Sequence, residues 1–92
     1  MKKIFKYPIE ITDKQTIKLP VDAEILTVQI VTGEPVLYAA IDPHNIAYNA
    51  DHKIYIFGTG HPIPNYADLI FINTIQQMGG NLVWHVFKEK KW

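Results

Sequence analysis

The chain has 92 residues and contains no cysteine, no serine and no arginine. Without cysteine, a disulfide framework, a thiolate metal site and a cysteine nucleophile are all excluded. Without serine, the serine nucleophile of many hydrolases is excluded too. The nine basic residues are therefore all lysine, and nine acidic residues balance them.

A neutral chain without guanidinium groups lacks the positive field and the bidentate contacts that are typical of proteins that bind duplex DNA. Long nucleic acid is therefore not an expected partner. A small anionic ligand stays open, because a few lysines, backbone N–H groups and hydroxyls can hold one or two phosphates.

Long apolar runs are also absent. No stretch approaches the roughly 18 residues that a membrane-spanning helix needs, and the amino terminus turns polar before an apolar segment of signal-peptide length develops. We therefore expect a soluble, cytoplasmic protein with no membrane partner. A chain of this length suits a single domain, residues 1–92, with a thin core that assembly would help to stabilise.

Short apolar runs separated by turn residues recur along the chain, which is typical of antiparallel all-β domains. The pattern predicts a small antiparallel β-sandwich or barrel-like domain of about seven strands, with little or no helix. Pro8 cannot donate a ladder hydrogen bond, so the first strand is expected at an edge or with a bulge. The predicted strands are residues 3–11, 16–19, 24–32, 36–41, 53–57, 69–76 and 82–87.

Two strands carry further expectations. In the strand 24–32, which forms a hairpin with 36–41, Leu26, Val28 and Ile30 alternate and are expected to face the core. In the last strand both faces are apolar, so it should lie centrally, line a pocket or form a subunit interface. We expect the interface, and therefore a homo-oligomer, a dimer or larger.

Four histidines are present, and their spacing matches no metal-ligand pattern. His44 falls in a predicted turn, residues 42–45, and His52 directly follows a predicted loop, residues 46–51. Both are expected to be solvated. Thr59 and His61 are the only hydroxyl and imidazole close in sequence, and no acidic residue accompanies them. The sequence therefore predicts no catalytic residue, no metal site and no cofactor.

The segment Gly58–Pro64 reads Gly-Thr-Gly-His-Pro-Ile-Pro. Its prolines forbid the helix that a dinucleotide fingerprint requires. Two interpretations stay open, a stiffened ligand-binding loop and a structural corner between strands. Aromatic rings that stack on flat ligands, and a lysine for a phosphate, complete the candidate ligand-binding set of Lys6, Tyr7, Tyr38, Gly58, Thr59, Gly60, His61, Trp84 and His85.

Four segments together resemble a widespread family of small, mostly uncharacterised bacteriophage proteins: residues 3–9, 19–20 followed by 23–29, 58–64 and 79–87. The resemblance extends to phage proteins that act as sponges for cyclic-nucleotide immune signals and so block defence systems such as CBASS or Thoeris. It implies a non-catalytic accessory protein in the host cytoplasm that sequesters a cyclic dinucleotide or a cyclic ADP-ribose type of ligand. The alternatives are a structural or protein-interaction module that binds a host or virion protein, and a small metal-dependent hydrolase using His61 and His85.

Overall fold

The computed structural model describes residues 1–45 and 48–90. The elements of these two ranges confirm the predicted all-β class, since only three single-turn 3-10 helices accompany the strands there. None of the helices in those two ranges is long and apolar enough to cross a membrane. The strands are β1 (Lys3–Pro8), β2 (Lys14–Pro20), β3 (Glu24–Val31), β4 (Glu34–Ile41), β5 (Asn49–Gly58), β6 (Leu69–Gln77) and β7 (Leu82–Glu89).

The strands form two antiparallel sheets, with the orders β1-β4-β3 and β2-β5-β7-β6. The first strand lies at an edge, as Pro8 predicts, because an edge position leaves a missing N–H without consequence. The last strand is internal to the four-stranded sheet, which is one of the three positions considered for it; the interface that we expected for it stays a prediction.

The β3–β4 hairpin is also confirmed. Val31 lies opposite Glu34, so the loop contains only Thr32 and Gly33. Both have positive φ, 51° and 81°, as a type I′ turn requires. This turn matches the right-handed twist of the strands, and it lets Glu34 and the residue after it join β4 at once.

The core lies between the two sheets, where Leu19, Val28, Leu37, Ile54 and Val86 have no exposed surface. The prediction that Leu26 faces this core is wrong: its side chain is 41% exposed. A bulge between Ile25 and Thr27 breaks the alternation, so that Ile25 and Val28 both point inward.

The prediction of a loop over 46–51 fails at its carboxyl end, because β5 already begins at Asn49, which pairs with Pro20 of β2. Residues 46 and 47 lie outside the described ranges. The prediction that His52 is solvated is also wrong, because the same pairing places it in a strand. His52 lies opposite Ile17 on the inner face and is buried, with its Nε2 3.1 Å from the Pro20 carbonyl oxygen. His44 is exposed, as expected.

One side chain joins the two sheets where the edge strands β3 and β6 meet. The Val28 N–H donates to Asn73 Oδ1 at 3.0 Å, and Asn73 Nδ2 donates to the Val28 carbonyl at 2.7 Å. Asn73 follows a bulge in β6 that turns its side chain toward β3. The amide therefore supplies the pair of hydrogen bonds that a neighbouring strand would supply.

Candidate functional site

The Gly58–Pro64 segment leaves β5 through a tight turn. The His61 N–H donates to the Gly58 carbonyl at 3.2 Å, and Gly60 has a φ of +87°, which fits the third position of a type II turn. A Cβ at Gly58 would lie 2.9 Å from Cε1 of the His61 ring. Gly60 is therefore needed for its backbone angle, whereas Gly58 leaves room for the imidazole.

The turn is tied to the sheet through an imidazole. The Thr59 hydroxyl lies 2.8 Å from His85 Nε2, and the Thr74 hydroxyl lies 2.9 Å from His85 Nδ1. His85 and Thr74 face each other on β7 and β6. The hydroxyl partner of Thr59 is thus His85, not the His61 that stands next to it in sequence.

The outer face of the four-stranded sheet carries a cluster of aromatic rings around Phe87. The side chain of Phe87 is buried, and the rings of Phe57, Tyr66 and Phe71 meet it edge to face at centroid distances of 5.8, 6.1 and 5.3 Å. The outer apolar face of β7 is therefore covered at this point by side chains of the same chain.

Beside this cluster, the loop and the amino end of β2 enclose an open groove of about 600 Å³. Its floor is aromatic, since the rings of Tyr55 and Phe57 are parallel within 2° with centroids 6.5 Å apart. The Lys14 ammonium lies 5.8 Å from the centre of the Tyr55 ring. The residues that line the groove are Asp13, Lys14, Tyr55, Phe57, His61, Pro62, Pro64 and Asn65.

Two polar groups of the groove, those of Lys14 and Asn65, are available to a ligand. Within residues 1–45 and 48–90, Lys14 forms no ion pair and the Asn65 amide caps no helix. Burial, and then the neighbouring Glu89 carboxylate that accepts a hydrogen bond from the phenol at 3.4 Å, raise the pKa of Tyr55 above its usual value. Tyr55 therefore presents a neutral ring at physiological pH.

The predicted ligand-binding residues fall in two places. Lys6, Tyr7 and Tyr38 line a cavity of about 510 Å³ along β1, in the three-stranded sheet. There Lys6 lies directly opposite Tyr38. This cavity shares no residue with the groove, so the structure does not unite these three residues with the Gly58–Pro64 loop.

Of the predicted residues on the other sheet, only His61 lines the groove. Gly58, Thr59, His61 and Trp84 line a separate cavity of about 360 Å³ next to the turn that precedes β7. Trp84 points inward, packs on the core and donates from Nε1 to Gln77 at 3.0 Å, so its polar atom is already used.

Sequence reasoning missed Lys14, Tyr55, Phe57 and Asn65 as site residues. One signal was visible, since Tyr55 and Phe57 alternate with buried isoleucines along β5 and so must share the outer face. The position of Lys14 opposite Tyr55 depends on the β2–β5 register, which no local pattern in the sequence specifies.

No group of three or more His, Cys, Asp or Glu side chains in the described part of the chain is arranged to hold a metal ion. The two histidines of the hydrolase alternative are engaged differently: His85 uses both ring nitrogens on hydroxyls, while the His61 ring rests on Gly58. No contact joins them to a common ligand position.

A family model with the description domain of unknown function, DUF7352, matches residues 1–92. No curated protein and no solved structure matches the chain.

Proposed function

We propose that this chain, which belongs to the DUF7352 family of domains of unknown function along its whole length, is a non-catalytic protein that binds and sequesters a small nucleotide. The observation that carries the proposal is the groove beside the Gly58–Pro64 loop, where two parallel aromatic rings lie next to a lysine that forms no ion pair with any described residue.

The parallel rings favour a planar ligand. A base that lies parallel to the Tyr55 ring is also parallel to that of Phe57, so a single orientation suits both. Stacking of a base on an aromatic side chain is worth about 1–3 kcal/mol. The neutral state of Tyr55 favours stacking, because a phenolate would repel the phosphates of the same ligand.

The polar rim favours a nucleotide of low charge. Lys14 can contact a phosphate, the Asn65 amide can donate to and accept from a base edge, and Asp13 can accept from an exocyclic amine. Because a carboxylate stands beside a single lysine, a nucleoside triphosphate would meet repulsion. A cyclic nucleotide carries less negative charge for each base and suits this rim better.

Within that class, we propose that the ligand is a cyclic-nucleotide immune signal of a bacterial host, either a cyclic dinucleotide or a molecule of the cyclic ADP-ribose type. The protein would then be phage-encoded and act in the host cytoplasm as an anti-defence sponge. Sequestration needs binding without turnover, and no serine, threonine or cysteine of the described residues lines the groove.

The test is native mass spectrometry and calorimetry of the protein with a panel of cyclic dinucleotides, cyclic ADP-ribose isomers and their linear counterparts. We expect one class of cyclic nucleotide to bind and to be recovered intact after denaturation. Recovery of a cleaved product would show an enzyme instead, and no binding by any member would refute nucleotide sequestration.

Two lysine variants locate the site. Lys14→Ala is expected to weaken binding about tenfold or more, as the loss of a charge-assisted contact does, and Tyr55→Ala by about 5- to 150-fold, the equivalent of one stacked base. Lys6→Ala is the matched control, because Lys6 lines only the β1 cavity. The opposite pattern, with Lys6 required and Lys14 dispensable, would move the site to β1.

A second candidate function is protein interaction. Tyr66 and Phe71 both pack against Phe87, yet they keep 65% and 54% of their surface exposed. This face suits a protein partner or a second copy of the chain, and we place the expected homo-oligomer here. The variant Phe71→Lys should release a dimer to monomers in native mass spectrometry. The monomer should still bind nucleotide, with an affinity that changes if binding and assembly are coupled. An unchanged assembly would remove this face as the interface.

A further inference from the structure

We infer that Thr59, His85 and Thr74 are positioning residues, a hydrogen-bonded clamp that holds the Gly58–Pro64 loop as one wall of the groove without contacting the ligand. The inference rests on the proposed function, because it concerns how the nucleotide-binding groove is kept in shape. It also changes the role of Thr59 and His85, which the sequence suggested as direct ligand contacts.

The clamp joins three elements. His85 lies on β7, inside the four-stranded sheet, and Thr74 lies opposite it on β6. Thr59 belongs to the turn after β5. With contacts of 2.8 and 2.9 Å to its two ring nitrogens, His85 connects the turn to a residue of the neighbouring strand.

The chemistry suits a fixed contact. A neutral imidazole has one N–H donor and one nitrogen acceptor, while a hydroxyl can donate or accept. Both contacts therefore form with either tautomer of His85. Because both ring nitrogens are used, neither is left for a metal ion or for proton transfer with a ligand.

The loop needs such an anchor. Gly60, at a φ of +87°, is the conformationally most permissive residue of the turn, and the turn itself is closed by a single backbone hydrogen bond at 3.2 Å between His61 and Gly58. His61, Pro62 and Pro64, which line the groove, follow directly. If the clamp is lost, the wall becomes disordered in the free protein and the ligand must order it on binding.

The experiment compares Thr59→Val, which removes the hydroxyl at nearly constant shape, with Thr59→Ser, which keeps it. Amide hydrogen exchange of the ligand-free proteins is measured first. We expect exchange at Gly60 and His61 to accelerate in Thr59→Val and Thr74→Val, to stay near that of wild type in Thr59→Ser, and to remain unchanged within β5 in all three.

Affinity is measured next with cyclic di-AMP, or with the panel member that binds wild type most tightly. Thr59→Val should bind about 2- to 12-fold more weakly, as expected for ordering one wall of a site. The weaker binding should appear as faster dissociation, and Thr59→Ser should bind like wild type. Unchanged exchange in Thr59→Val overturns the clamp, and so does a loss above a hundredfold without a change in exchange, since the hydroxyl would then contact the ligand.

The two proposals fail differently. If wild type binds no nucleotide but exchange responds as described, the clamp stands and the nucleotide function fails. If wild type binds and Thr59→Val matches it in both exchange and affinity, the function stands and the clamp fails.

Discussion

Replacing Asn73 with alanine should destabilise the junction between the two sheets more than any other single polar substitution there. The change removes two hydrogen bonds, of 3.0 and 2.7 Å, and leaves the Val28 N–H without its partner and the Val28 carbonyl with only the Thr27 hydroxyl, at 3.5 Å. Val28 is fully buried, so water replaces these bonds poorly. Each unsatisfied buried group costs about 1–3 kcal/mol, and we expect a total loss of about 2–3 kcal/mol because Asn73 itself is only half-buried.

For a domain of this size, such a loss lowers Tm by about 10–20 °C. The assay is urea unfolding followed by tryptophan fluorescence, with Tm from calorimetry. Asn81→Ala is the control, since Asn81 is exposed in the turn that precedes β7 and its change should alter stability by less than about 0.5 kcal/mol. If Asn73→Ala is as stable as this control, the amide does not hold the sheets together and the reasoning is refuted.

Three further predictions concern the aromatic cluster, the turn and pH. Phe87→Ala should destabilise by about 3–5 kcal/mol, and Phe71→Ala, at a ring that is 54% exposed, by less than about 1, both in urea unfolding. Gly60→Ala should cost about 1–2 kcal/mol, because alanine resists a φ of +87°; wild-type stability would show that the turn has another conformation. The hydrogen bond and charge of Lys18 hold the pKa of Asp51 below its usual value, so this pair stabilises above the ordinary carboxyl pKa and the effect fades as pH falls through the lowered one. In Asp51→Asn, the free energy of unfolding measured across pH 2–7 should therefore fall less steeply toward acid pH than in wild type. An unaltered profile would contradict a contribution of the Lys18–Asp51 pair.

The number of the strands and their approximate ranges along the chain could be predicted because the signals are local. Apolar runs and turn residues repeat within each hairpin, and the β3–β4 turn requires only two residues that accept positive φ. Leu26 shows where this local reasoning stops. The bulge beside Leu26 depends on how β3 meets β4 and the neighbouring sheet. The extra residue of the bulge moves the side chains that precede it to the opposite face of the strand.

The prediction that His52 is solvated was wrong for a related reason. Its neighbours Asp51 and Lys53 are polar, so the segment looks like a solvated loop, but they are the outward half of an alternating strand. The strand becomes visible only when Pro20 and Ile17 are placed opposite Asn49 and His52, which is a contact between distant parts of the chain.

The candidate site was predicted in part. The Gly58–Pro64 loop was identified from its own letters, because two glycines and two prolines restrict the backbone locally. The groove beside it was not, because its opposite wall is Lys14, which lies more than forty residues earlier in the chain. Lys6 was expected in that role because it lies in a strand that Pro8 interrupts, where it could flank a pocket and supply charge to a phosphate. Neither feature indicates which of the two sheets carries the groove.

The doubly apolar last strand can now be explained without a partner for most of its length. Its inner residues Trp84 and Val86 meet the core, and its outer residue Phe87 is buried under three rings of the same chain. Because the outer face is largely covered from within, the apolar pattern by itself gives a weaker reason to expect self-association than the sequence implied. The homo-oligomer stays a prediction whose interface area must come from Tyr66 and Phe71. Those two rings contact Phe87, which in turn contacts Phe57 of the groove. A partner bound there would lie next to a nucleotide bound at Tyr55, so ligand affinity and assembly should be coupled if both occur on this face.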